Sequence, residues 1–109
     1  MSNLNKNEEY IIEIFHQMWD EFPGFARLID QKHKIIASNK MAEEKGFIPG
    51  EICSRVGQPQ SHKECKLRKT FSEKSGNTDR VLKDRVRGWV PIQGCPDLLV
   101  HFTLLLPDE

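Results

Sequence analysis

The sequence predicts an α+β domain, one antiparallel sheet packed by helices, and three observations predict it. The first is an N-terminal stretch in which Ile11, Phe15, Met18, Trp19 and Phe22 recur at three- and four-residue steps. The second is Leu98–Leu106, the strongest strand pattern in the chain. Leu98, Val100, Phe102, Leu104 and Leu106 fall on one face, and Leu99, His101, Thr103 and Leu105 on the other. Both sets are largely apolar, so this strand belongs in the middle of a sheet covered on both sides. The third is the punctuation by Pro23-Gly24, Pro49-Gly50, Gly76-Asn77 and Gly94-Cys95-Pro96-Asp97, which leaves only short runs between turns. A chain of 109 residues holds one core and is too short for two ordinary domains.

The elements follow in order. A helix is expected from about Asn7 to Phe22, with Glu8 and Glu9 at the positive end of its dipole and Pro23-Gly24 as its stop. It forms a leading segment, residues 1–24, ahead of the main body at 25–109. Phe25–Ile29 and Lys34–Ser38 read as a hairpin around the polar turn Asp30–His33. Asn39 then caps a short helix, Lys40–Lys45, that ends at Gly46. Ile52–Val56 has the look of a helical turn. Ser61 and Glu64 form a capping-box pattern for a helix from about His62 to Lys74, with Leu67 and Phe71 as its buried edge. Thr78–Val86 reads as a long charged edge strand. Arg87-Gly88 reads as a tight turn, and Trp89–Ile92 as the next strand.

Composition narrows the function classes. Sixteen basic residues balance sixteen acidic ones, so no charge excess marks a nucleic-acid binder. No apolar run resembles a signal peptide or a membrane span, which makes a cytoplasmic location the expectation. There the three cysteines, Cys53, Cys65 and Cys95, are expected as thiols. No Walker loop, Gly-x-Ser-x-Gly, Rossmann glycine pattern or His-Glu-x-x-His occurs, so no enzyme is expected.

Two groups of residues could carry chemistry. Cys53, His62, Cys65 and Cys95 have the donor atoms of a zinc site or an iron–sulfur cluster, although only His62 and Cys65 have ligand-like spacing. The competing reading makes the cysteines small apolar residues and His62 a helix-start residue. Cys65, at a helix start between Lys63 and Lys66, is also a candidate redox thiol. His101 is either a hydrogen-bonded core histidine or a ligand contact. Haem binding through one histidine has no specific motif here.

The order of elements, together with Leu28-Ile29-Asp30, Lys34-Ile35-Ile36, Asn39, Glu43, Gly46-Phe47 and Glu51, resembles a PAS domain over roughly residues 25–106. Within that family it is similar to a bacterial subgroup with a cysteine after the glutamate-containing turn and a Cys-x-x-Cys pair before the long helix. Cys53 matches the first, and His62–Cys65 matches the pair with His62 in place of its first cysteine. The chain departs from the family at Pro107-Asp108-Glu109, where an Asp-Ile-Thr exit is absent. The resemblance implies a PAS-like five-stranded antiparallel sheet with helices on one face and the N-terminal amphipathic helix on the other face or in a homodimer interface. It also implies a sensory role in signal transduction, with a small-molecule pocket on the inward sheet face. Pocket candidates are Ile36, Met41, Phe47, Cys53, Leu67, Phe71, Trp89 and His101. The alternatives are a metal or redox module using the Cys/His set, and an interaction domain with an empty core.

Overall fold

A computed structural model describes residues 6–52, 66–81 and 83–107. In chain order the described elements are α1 (Lys6–Trp19), β1 (Gly24–Asp30), β2 (Ile35–Ser38), α2 (Lys40–Glu44), α3 (Leu67–Glu73), β3 (Asn77–Val81), β4 (Arg85–Ile92) and β5 (Cys95–Leu105). The strands form one antiparallel sheet in the order β2-β1-β5-β4-β3. β5 is the central strand, as its two apolar faces require.

The sheet divides the core in two. On one face Phe15 of α1 packs with Ala26, Leu28, Ala37, Leu98 and Val100, flanked by Ile11, Ile12, Trp19 and Phe22. On the other, Leu67 of α3 packs with Ile29, Ile35, Trp89 and Leu99, flanked by Phe47 and Phe71. The leading helix therefore covers one face, while α3 and the turn after α2 cover the face called inward below. Among the described residues no helix is long and apolar enough to cross a membrane.

Asn39 joins the two layers. It is fully buried, and its side chain makes four hydrogen bonds, the most an amide can make with one per proton and two at oxygen. Oδ1 accepts from the main-chain N–H groups of Ala26 (3.1 Å) and Ala42 (3.0 Å). Nδ2 donates to the carbonyls of Trp19 (3.0 Å) and Gly24 (2.9 Å). One side chain thus caps α2, satisfies a carbonyl at the end of α1 and fastens both to β1.

Several boundaries differ from expectation for identifiable reasons. α1 ends at Trp19, where the Phe22 N–H turns back to the Trp19 carbonyl. Met18, one helical step from Trp19, is left 69% exposed on the flank instead of joining the buried stripe. α3 ends one residue early because Lys74 adopts a left-handed conformation (φ 54°). The expected long strand is broken by a turn at Lys83-Asp84, and Arg87-Gly88 lies inside β4. Gly88 serves a different need there. It pairs with Phe102, and a Cβ at this position would overlap the Phe102 ring. Cys95 lies in β5, not in a turn, because Gln93-Gly94 closes a two-residue hairpin with Gly94 at φ 84°. The expected helical turn at Ile52–Val56 falls mostly outside the described residues. The helix start at His62, with its Ser61/Glu64 capping box, lies wholly outside them.

Candidate functional site

The inward face is assembled by register. β1 contributes Phe25, Arg27 and Ile29. β5 contributes Thr103, His101 and Leu99 opposite them, and β4 contributes Arg87, Trp89 and Pro91 beyond. β3 completes the rows with Asp79 opposite Arg87 and Asn77 opposite Trp89. The Ile29–Leu99 row is apolar. The next two rows carry an arginine each, a histidine, a threonine and an aspartate in the interior of the domain.

Burial makes these polar residues significant. Arg27 is 2% exposed, Arg87 5%, His101 7% and Thr103 8%. A buried charge is costly unless it is paired and hydrogen-bonded. Arg87 meets this demand with a two-pronged ion pair to Asp79, Nε to Oδ1 at 2.9 Å and Nη2 to Oδ2 at 2.7 Å. Its guanidinium also lies 5.0 Å from the Trp89 ring. Arg27 donates through Nε to the His101 carbonyl (3.3 Å) and through Nη2 to Thr103 Oγ1 (3.0 Å), and its guanidinium sits 4.4 Å from the Phe47 ring centre. The two polar rows thus hold the guanidinium groups of Arg27 and Arg87 and the carboxylate of Asp79.

His101 lies flat against Trp89, with ring centres 4.6 Å apart and planes 8° from parallel. Its Nδ1 is 2.8 Å from the Gly88 carbonyl. A carbonyl only accepts, so Nδ1 carries a proton. Trp89 is wholly buried, and its indole N–H has no hydrogen-bond partner among the described residues. Thr70 of α3 accepts from Asn77 Nδ2 at 3.0 Å, which fixes α3 to the sheet edge at β3.

The structure brings Phe47, Leu67, Phe71, Trp89 and His101 to the inward face. It does not bring Ile36 or Met41 there. An irregularity in the β1–β2 pairing between Leu28 and Ile29 inserts Ile36 as an extra residue and turns it to the cluster beneath α1. Met41 is 37% exposed on α2. Cys53, His62 and Cys65 lie outside the described residues. Cys95 is half-buried against the cluster beneath α1. Among the described residues no three potential ligands are grouped around a metal-sized space. Arg27, Arg87, Thr103 and Asp79 were not singled out from the sequence as site residues. The available signal was parity, since Arg27 shares a face with Phe25 and Ile29 in an otherwise apolar run.

No protein-family model matches the chain, and no curated protein matches it. Among solved structures, the chain is similar to a sensory box sensor histidine kinase from Vibrio cholerae, with a TM-score of 0.66 at 12% identity. The match covers 97% of this chain and 100% of that one. At this identity the likeness is one of fold. The chain has a PAS-like α+β fold, with helices on both faces of a five-stranded antiparallel sheet.

Proposed function

We propose that this chain is a sensory module of signal transduction that binds a small molecule on its inward sheet face and pairs with a second copy through α1. The observation that carries the reading is the buried polar group Arg27, His101, Thr103 and Arg87 beside the apolar wall of Ile29, Leu67, Trp89 and Leu99. A face that served only as core is better built from apolar side chains, which need no partners. A binding face needs a few placed polar groups in an apolar setting. The likeness in fold to a sensor histidine kinase supports the sensory part. Tyr10 and Met18, 64% and 69% exposed on α1, support the pairing, because apolar side chains on a helix flank are suited to a partner surface.

Native mass spectrometry of the purified chain, compared with its denatured mass, tests both parts. A dimer carrying a non-protein mass that denaturation removes is the expected result. A bare monomer, unchanged after incubation with a cell metabolite extract, contradicts the proposal.

A further inference from the structure

We propose that α1 of a second copy lies on the open half of the sheet face that α1 itself occupies, over Val86 and Val90 of β4 and Phe102 and Leu104 of β5. The inference rests on the pairing proposed above and names the surface that the second copy's α1 meets. Width, an apolar stripe and charge support it.

Five strands about 4.8 Å apart span about 19 Å, and a helix with its side chains covers about 10 Å, so one face takes two helices side by side. The chain supplies α1, which lies over β1 and β2 and reaches Phe102 of β5 through Trp19. Beyond Phe102 the same face continues by register with Val86, Gly88 and Val90 of β4 and with Thr78 and Arg80 of β3. α2 lies against β1 and α3 on the inward face, so among the described residues no helix covers this half, and Val90 is exposed there. The helix has a surface to match. Tyr10, Ile14 and Met18 recur every four residues and form an apolar stripe beside the buried one, with Tyr10 and Met18 exposed. The stripe is about 12 Å long, close to the roughly 10 Å that separates β5 from β3. Charge agrees with this fit. Glu9 and Glu13 run exposed along the stripe, and Arg80 stands exposed at the rim of the open half. A twofold axis lays each stripe on the other copy's sheet and sets each acidic row against the other copy's Arg80.

Sedimentation equilibrium of the full chain and its variants tests the arrangement. Val90→Glu is expected to weaken the dimer about tenfold or more, as is Met18→Glu. Glu13→Arg and Arg80→Glu are each expected to weaken it about fivefold, since the dimer holds the pair twice. Combining the two restores opposite charges across the axis and is expected to return the dimer to within about twofold of the parent. A dimer that Met18→Glu dissociates and Val90→Glu leaves intact sets α1 against α1. It overturns the inference and leaves the pairing standing. A double charge variant no tighter than the weaker single variant also overturns the inference. Should Val90→Glu unfold, as circular dichroism would show, the charge exchange decides, because both of its sites are exposed. A monomeric parent, or a dimer that neither Val90→Glu nor Met18→Glu weakens, overturns the pairing as well.

Discussion

Replacing Asn39 tests whether one side chain holds the helical layers to the sheet. Asn39→Ala removes four hydrogen bonds and leaves two main-chain N–H groups, of Ala26 and Ala42, and two carbonyls, of Trp19 and Gly24, without their partner. Each buried group left unsatisfied costs about 1–3 kcal/mol. A water entering the vacated space recovers part of that. The expected loss is therefore about 4 kcal/mol, a large share of the 5–15 kcal/mol typical of a domain. Asn39→Asp is the sharper variant. It has the same shape and keeps an acceptor for Ala26 and Ala42, but it sets a carboxylate against the carbonyls of Trp19 and Gly24. If Asn39 acted only as the cap of α2, aspartate would serve equally well. The four-bond arrangement instead predicts a loss of about 2 kcal/mol or more for Asn39→Asp. Urea unfolding followed by far-ultraviolet circular dichroism reads both variants. An Asn39→Asp midpoint within about 0.5 kcal/mol of the parent, at an unchanged slope, refutes the reasoning.

Other perturbations have definite expectations. Gly88→Ala forces a methyl group into the Phe102 ring and should cost about 2 kcal/mol in urea unfolding, less in a Phe102→Leu background. Asp79→Ala strips Arg87 of its two-pronged carboxylate and should cost about 3 kcal/mol. The double change Asp79→Leu with Arg87→Met should recover most of that loss, because an apolar pair needs no partners. Met18→Glu, at an exposed site on α1, should shift sedimentation from dimer to monomer and change monomer stability by no more than about 0.5 kcal/mol.

The parts of this fold that were legible in the sequence are those where periodicity and burial agree. β5 announced its central place because both alternating faces are apolar, and Asn39 announced a helix start because its side chain favours that position. Gly88 misled because glycine marks both turns and close approaches, and only the tertiary partner Phe102 decides between them. The real turn, Lys83-Asp84, carries no glycine or proline and resembles the charged strands beside it. Ile36 was assigned to the wrong layer because one extra residue in the pairing reverses parity, and nothing in Lys34-Ile35-Ile36-Ala37 encodes that insertion. On the inward face, Trp89 and His101 were visible as aromatic residues in strands. The two arginines were harder to place, since charged side chains in a strand usually mean an edge or a wet face. Their burial depends on cross-strand partners, Asp79 for Arg87 and Thr103 for Arg27, that only the assembled register supplies.

The central claim is that the inward face of this sheet holds a small molecule. A high-resolution crystal structure of the chain as purified from cells tests it most directly. The account predicts non-protein density between the sheet and α3, within hydrogen-bond reach of Trp89 Nε1. A face filled entirely by the chain's own side chains, with the Trp89 N–H donating to one of its own carbonyls, would contradict it.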